Sequence, residues 1–135
     1  MPAALASSFA DLGDLRAYQR AKQRGLSDAE AFKLGDNGVG FTGLCTAQEH
    51  TPMCALPPDD WLVWGGKKQA AGQKVIVAAN GRICTGILGD TMPRKANIKN
   101  GCGIDLNPAF AKALGLTPPF KVPCSWTWGD KSKQA

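Results

Sequence analysis

The sequence predicts a mainly β domain that is preceded by a short helical hairpin. Sixteen glycines and nine prolines in 135 residues are typical of turn-rich β architectures rather than of helix bundles. Two β-rich runs, residues 74–79 and 82–88, are joined by Asn80-Gly81, which favours a type I′ hairpin because both central residues need positive φ. Residues 120–128 alternate apolar and polar side chains, as a strand with one buried face does.

Length and composition limit the class of protein. A chain of 135 residues, 44% hydrophobic and 20% charged, is expected to form one globular domain. No run approaches the roughly 20 apolar residues that span a bilayer, and residues 1–10 lack the features of a secretory signal. We therefore expect no membrane partner. The localisation stays open between cytoplasmic synthesis with association with a virion and an extracellular mature form.

The first 35 residues predict two helices. Apolar residues spaced at helical intervals favour a helix from about residue 11 to 24, ended by Gly25. Ser27 and Glu30 have the spacing of a capping box and begin a second helix, with Gly35 as its stop. Because this hairpin is too short to bury a core alone, we expect it to pack on the rest of the domain or on another subunit.

Positive charge is concentrated in the middle of the chain. The net charge is +5, and residues 67–99 contain seven basic residues but one acid, Asp90. Such an excess favours a polyanionic partner such as an anionic cell-wall polymer. A solvated face that keeps the domain soluble explains it equally well. Nucleic acid is a weaker candidate, and we do not predict it as a partner.

The five cysteines leave the disulfide pattern open. They are spread along the chain without a Cys-x-x-Cys pair, and His50 is the only histidine, so no zinc site is predicted. The glycine-rich run 35–40 follows no predicted strand and precedes no Gly-Lys-Ser/Thr. We predict neither a nucleotide-binding loop nor any cofactor.

An ordered set of motifs links the chain to a known family. Cys-Ala-Leu-Pro-Pro-Asp-Asp-Trp (54–61) precedes the predicted hairpin, Gly-Asp-Thr-Met-Pro (89–93) follows it, and Gly-Ile-Asp-Leu-Asn-Pro-Ala-Phe (103–110) and a closing strand (122–128) come next. Residues 36–128 thereby resemble the double-psi β-barrel domains of rare lipoprotein A, the barwin proteins and the expansins. The resemblance implies a six-stranded double-psi β-barrel over residues 36–129, with residues 1–35 as a helical extension and 130–135 as a polar tail.

The resemblance also implies an acidic site. Asp105 matches the residue that protonates a glycosidic oxygen in catalytic relatives, and Asp90 matches the acid of the neighbouring loop. The sequence departs from the expansins at Gly103, where they carry a histidine, and His50 and Glu49 are weak matches to the family's upstream pair. Asp105 could instead cap the following helix, although Asn107 suits that role better, and Asp90 could be a turn residue.

Aromatic and basic residues complete the predicted site. Trp61 and Trp64 lie in a Pro/Gly-rich loop, where exposed indole rings could stack on sugars. Trp126 and Trp128 share the apolar face of the last strand and are expected in the core. We predict Trp61, Trp64, Arg94 and Lys95 as substrate-binding residues beside Asp90 and Asp105.

These features favour a module directed at a cell-wall glycan, with peptidoglycan as the expected polymer. Weak lytic cleavage with Asp105 as general acid would make it an enzyme resembling lytic transglycosylases, in which the sugar's own hydroxyl is the nucleophile. The run Gly-Asp-Asn-Gly-Val-Gly (35–40) also resembles short proteins encoded by bacteriophages. Together with the lack of signal-peptide features, the odd number of cysteines and the helical hairpin, that resemblance favours the alternative, a non-enzymatic assembly protein such as a virion component. It would use residues 1–35 for contacts with its own copies or with other virion proteins.

Overall fold

The computed structural model describes residues 3–41 and 43–130, and residues 131–135 of the predicted tail lie outside this range. Its strands are β1 (Ala3–Ser8), β2 (Met53–Leu56), β3 (Lys74–Ala79), β4 (Arg82–Thr91), β5 (Ile104–Leu106) and β6 (Lys121–Trp128). Its helices are α1 (Leu12–Gln23), α2 (Asp28–Phe32), α3 (Pro58–Trp61), α4 (Lys67–Ala70) and α5 (Pro108–Ala113). Within the described ranges, none of these helices has both the length and the apolar character to cross a membrane.

The six strands close into a barrel in the order β1-β5-β2-β4-β3-β6. Two pairs are parallel, β1 with β5 and β2 with β4, and the other pairs are antiparallel. Exchanging the first three strands with the last three reproduces every pairing, so the two halves are topologically equivalent. The predicted fold class, a mainly β six-stranded double-psi barrel with an N-terminal helical hairpin, is confirmed.

The barrel includes a strand that the sequence analysis did not predict. β1 pairs with β5 on one side and with β6 on the other. Residues 1–35 are therefore not a purely helical extension, because Ala3–Ser8 form one of the six strands of the barrel. Ala6 of this strand is fully buried among the core residues.

The predicted hairpin of helices is confirmed and is defined by its caps. The Asp11 side chain accepts the N–H of Asp14 at the start of α1, and Ser27 with Glu30 forms the capping box of α2. The rings of Tyr18 and Phe32 lie 4.9 Å apart between the two helices. These local hydrogen bonds satisfy amides that helix ends otherwise leave unpaired.

The β3–β4 turn has the predicted geometry, with φ of 54° at Asn80 and 71° at Gly81. β4 continues past Leu88 to Thr91 and therefore carries Asp90 into the sheet. The barrel interior is filled by apolar side chains from all six strands and from α5, including Phe110 and Trp128. The core position expected for Trp128 is confirmed, and Trp126 packs against the same core while partly buried.

Candidate functional site

The two predicted acids lie in one row across the sheet. Ala55 of β2 is the register partner of Asp90 on one side and of Asp105 on the other, and Asp105 is in turn opposite Ser7 of β1. Register partners project from the same face of a sheet, and neighbouring strands are about 4.8 Å apart. The Cα atoms of Asp90 and Asp105 are therefore roughly 10 Å apart on one face.

This row faces away from the barrel interior. Cys54 and Leu106, the neighbours of Ala55 and Asp105 in sequence, are buried in the barrel core. Successive side chains alternate between faces, so the acids project toward a second, smaller apolar cluster. That cluster consists of Phe9, Ala10, Ala55 and Met92, and its first two residues belong to the segment that leads from β1 into α1.

A β-bulge brings Asp90 into the row. Cys54 pairs with Leu88 whereas Ala55 pairs with Asp90, so Gly89 is the additional residue. Without it Ala55 would face Gly89, and the carboxylate would point to the other side of the sheet. Glycine suits this position because a Cβ there would lie 2.9 Å from the sulfur of Met53.

Asp105 is a partly buried carboxyl with one side-chain donor. The Ser7 hydroxyl donates to Oδ1 of Asp105. Burial raises the pKa of Asp105 to about 6, the hydrogen bond from Ser7 opposes the rise, and the negative charges of Asp14, Asp90 and Asp36 add to it. A carboxyl with this pKa keeps a protonated fraction near neutral pH, as a general acid requires.

Asp90 holds a loop against the barrel. Its Oδ1 accepts the backbone N–H of Thr91 at 2.8 Å and that of Phe41 at 3.3 Å. Burial is the main reason that its pKa is raised to about 6, and Asp36 adds to the rise. Asp90 therefore ties the segment that follows the helical hairpin to the end of β4, and it lies within that strand rather than in the turn that was the alternative.

Asn107, and not Asp105, caps α5. Its Oδ1 accepts the N–H groups of Met53 and Phe110, and its Nδ2 donates to the carbonyls of Thr46 and Thr51. This fully buried amide uses all four of its hydrogen-bonding positions. The capping explanation of Asp105 is thereby removed, and its carboxyl is paired with the Ser7 hydroxyl instead.

Two further carboxylates, missed from the sequence, belong to this acidic site. Asp14 of α1 accepts the N–H of Ala10, and its own carbonyl accepts the N–H of Asp36. Burial raises the pKa of Asp14 to about 6, and Asp11 and Asp36 raise it further. Burial also raises the pKa of Asp36. Their sequence signal is the N-terminal position of Asp14 in a predicted helix, which indicates a cap rather than a site.

A cleft of about 1010 Å³ opens beside Ser7. Its walls are the end of β1, the start of α1, the loop at residues 47–49, the start of α5 and the segment that leads into β6. Asp14, Glu49 and Phe120 are among the lining residues. Ser7 lines the cleft and also contacts Asp105, whereas Asp90 and Asp105 are not themselves lining residues.

The tryptophans do not line this cleft. Trp61 is only 5% exposed; its ring lies 6.0 Å from that of Phe41, and its Nε1 donates to the Thr91 hydroxyl. The expectation of an exposed Trp61 ring is wrong, because α3 turns the indole inward. Trp64 is partly buried and meets Trp128 edge to face at 5.5 Å.

The predicted basic residues also lie apart from the cleft. Lys95 donates its backbone N–H to Asp59 at 2.9 Å, and its Nζ is 3.2 Å from Oδ1 of Asp60. It therefore ties the segment after β4 to α3. Arg94 is exposed and precedes Lys95 in that segment. The structure thus brings Asp90 and Asp105 together and leaves Arg94, Lys95 and both loop tryptophans elsewhere.

The remaining candidates are simpler. His50 is exposed in a loop, and Glu49 pairs with Lys112 of α5 at 3.5 Å. All five cysteines are free thiols, with Cys54 fully buried in the barrel core, where burial raises its pKa. Within residues 3–41 and 43–130, no three histidine, cysteine or acidic side chains are grouped so as to hold a metal ion.

No family model matches the sequence, and no curated protein matches it. Among solved structures, the chain is similar to the Streptomyces papain inhibitor at 20% sequence identity and a TM-score of 0.43. The alignment covers 68% of this chain and 84% of that chain.

Proposed function

We propose that the protein is a polysaccharide-binding module directed at the cell wall, with peptidoglycan as its ligand and the cleft beside Ser7 as its binding site. The observation that carries the proposal is the contact of Ser7 with Asp105 at the edge of a cleft of about 1010 Å³. A cleft of this size accommodates a short glycan segment. The exposed basic residues of the 67–99 stretch would attract the anionic polymer.

Weak lytic cleavage is the catalytic form of this proposal. Asp105 would donate its proton to the oxygen of the glycosidic bond as that bond breaks, and the C6 hydroxyl of the same sugar would attack C1. The carboxylate would then take the proton of that hydroxyl, which leaves an anhydro-sugar and a regenerated acid. The raised pKa of Asp105, about 6, supports this role because the protonated form persists near neutral pH.

The test is retention on purified, insoluble peptidoglycan sacculi, with cellulose and chitin as control polymers. We expect the wild type to be retained on sacculi and Asp90→Asn/Asp105→Asn to be retained less. Asp28→Asn is the matched control, because Asp28 pairs with Lys22 on the helical hairpin. Anhydro-muropeptides in the supernatant would establish cleavage. Absence of retention on sacculi would reject the proposal.

An assembly role is the second candidate, and the surface of the helical hairpin favours it. Phe32 and Leu34 are 47% and 52% exposed, so the hairpin presents apolar area that a subunit contact could bury. A homo-oligomer or virion contact through residues 1–35 would follow. Light scattering after gel filtration tests it, since the wild type should be oligomeric and Phe32→Ser/Leu34→Ser monomeric. A monomeric wild type would remove this candidate for self-assembly.

A further inference from the structure

The cleft beside Ser7 is acidic, although the whole protein carries a net charge of +5. Its charged lining residues are Asp11, Asp14, Glu49 and Lys112. Lys112 is the one basic lining residue in the described part of the chain, and its Nζ is 3.5 Å from Glu49. Because Lys112 is paired with Glu49, it does not neutralise the charges of Asp11 and Asp14.

Asp14 is one of two acidic lining residues at the start of α1. Its Oδ2 accepts the N–H of Ala10 at 2.9 Å. No ion pair joins Asp14 to a basic side chain among the described residues. The charges that act on its carboxyl are those of Asp11 and Asp36, and Asp14 in turn acts on Asp105. The start of α1 contributes only about half a positive charge, which is less than the two carboxylates at that end.

The rest of the lining suits a sugar or an alkyl chain. Ser7 offers a hydroxyl, and Gln48 and Asn100 offer amides. The apolar lining residues include Leu12, Leu116 and Phe120. A pyranose ring has an apolar face of C–H groups that packs on such a surface, while its polar substituents need partners. A ligand that combines an apolar face with a positive charge would match both parts of the lining.

We propose that this cleft binds a primary ammonium group of the wall polymer, with Asp14 as its principal carboxylate partner. The inference rests on the proposed function, because it specifies which part of the polymer enters the cleft. The ammonium group could belong to a glucosamine that lacks its acetyl group or to a side-chain amine of the stem peptide. Both sources offer the same charge-assisted hydrogen bond to a carboxylate.

The net positive charge of the protein disfavours non-specific binding of such a ligand. The net charge of +5 repels a polyamine over the distance of a Debye length, about 8 Å at physiological salt. Binding of a cationic oligosaccharide would therefore report a local site rather than the overall field of the protein. This property makes the comparison of charged and acetylated ligands informative.

The experiment measures binding of three probes to the full chain by calorimetry at pH 7.5. The probes are the glucosamine hexamer, the N-acetylglucosamine hexamer and a lysine-containing stem tripeptide. Asp14→Asn is the test variant, since its amide oxygen can still accept the N–H of Ala10. Asp28→Asn is the control, because it removes one carboxylate from the same hairpin outside the residues that line the cleft. Circular dichroism checks that both variants fold.

We expect the glucosamine hexamer to bind at least about tenfold more tightly than its acetylated counterpart, and Asp14→Asn to lose about tenfold, as for one charge-assisted hydrogen bond. Asp28→Asn should bind as the wild type does. Binding of the tripeptide alone, with the same dependence on Asp14, would also support the inference and assign the amine to the stem peptide. Equal or tighter binding of the acetylated hexamer, or binding that Asp14→Asn leaves unchanged, would overturn it.

The outcome also separates this inference from the proposed function. If sacculi retain the protein but no amine-bearing probe binds, the ammonium site is rejected and wall binding stands. If sacculi and all three probes fail, both are rejected.

Discussion

The Ser7 hydroxyl donates to the Asp105 carboxylate across the parallel pair of β1 and β5. The two residues are register partners although 98 positions separate them in the sequence. The first strand of the barrel thus supplies the donor that lowers the pKa of Asp105. This contact connects the barrel wall to the cleft, since Ser7 also lines the cleft.

Replacing Ser7 by alanine should raise the pKa of Asp105 above its present value of about 6. The hydrogen bond from Ser7 stabilises the charged carboxylate and so lowers the pKa. Without this bond, burial and the neighbouring acids raise the pKa of Asp105 further. Titration of the Asp105 carboxyl carbon by NMR measures the change. Ser7→Thr keeps a hydroxyl and should restore the wild-type value, and an unchanged pKa in Ser7→Ala would refute the role of this bond.

Stability should increase as the pH falls from 7.5 to 5. The folded pKa values of Asp14, Asp90 and Asp105 are about 6, above the value of 3.8 for an unperturbed aspartate. The folded state therefore binds more protons than the unfolded state between these two pH values. The contribution of these carboxyls to the free energy of unfolding is lost as the pH rises through about 6.

The expected gain is about 1 kcal/mol each for Asp90 and Asp105, because pH 5 lies about one unit below their folded pKa values, and less for the more accessible Asp14. Urea unfolding at pH 5 and 7.5 measures it. Asp90→Asn/Asp105→Asn should flatten the dependence, because the amides do not titrate. A free energy of unfolding that is higher at pH 7.5 than at pH 5 would contradict the assigned environments of these carboxyls.

Asp105→Asn should affect cleavage but hardly stability, whereas Asn107→Ala should affect mainly stability. Asp105→Asn should abolish any cleavage and shift the thermal midpoint little, because Asn107 caps the helix. Asn107→Ala should cost about 3–5 kcal/mol, since it leaves buried N–H and carbonyl partners unpaired. Thermal unfolding and sacculus digestion distinguish them. A large loss of stability in Asp105→Asn would assign a structural role to Asp105.

Truncating Trp61 should unfold the protein rather than weaken ligand binding. We expect Trp61→Ala to cost about 3–5 kcal/mol, as for other large buried aromatics. Trp61→Phe should cost less while losing the hydrogen bond to Thr91, and it should keep its retention on sacculi. Val63→Ala, at a position 46% exposed, should change stability by no more than about 0.5 kcal/mol. Loss of retention in a folded Trp61→Phe would reinstate Trp61 as a binding residue.

Gly40→Ala should disturb Asp90 through the loop that covers it. A Cβ at Gly40 would lie 1.9 Å from the carbonyl oxygen of Gly89, so the loop must move and the N–H of Phe41 would leave Asp90. We expect a loss of about 2–4 kcal/mol and a higher pKa of Asp90, measured by urea unfolding and carboxyl NMR. Gly103→Ala is the matched control, because its Cβ would meet Ala4 at an ordinary 3.5 Å. Equal effects of the two substitutions would disprove the close approach.

Local signals predicted the helical hairpin, the β3–β4 hairpin and the last strand correctly, whereas α3 and α4 lie where a loop was expected. The capping box at Ser27, the cap at Asn107 and the turn at Asn80-Gly81 all occur in the structure, because each depends on neighbours within three or four residues. β1 was missed because its run Ala-Ala-Leu-Ala-Ser-Ser has neither the alternation nor the β-branched residues of a typical strand. Its conformation depends on the hydrogen bonds that β5 and β6 offer from the other end of the chain.

The candidate site divides along the same line. Asp90 and Asp105 could be selected from their motifs, but their common face depends on the bulge at Gly89, which no local pattern indicates. Trp61 was expected in solvent because its loop is rich in proline and glycine, yet α3 and the neighbouring Phe41 bury it. Asp14 was not selected from the sequence, because only the docked hairpin brings it near Asp105.

The sequence by itself determined the mainly β class, the helical hairpin and the tight turn, because periodicity, caps and turn chemistry act over a few residues, whereas the two acids of the sheet were selected through the resemblance of their motifs to a known family. The tertiary structure alone decided that the first strand completes the barrel, that the charges of Asp14, Asp36 and Asp90 act on Asp105 and that a cleft opens beside Ser7. Strand pairing over 98 residues and the removal of carboxyls from water are properties of the folded chain, since they depend on which distant surfaces come together.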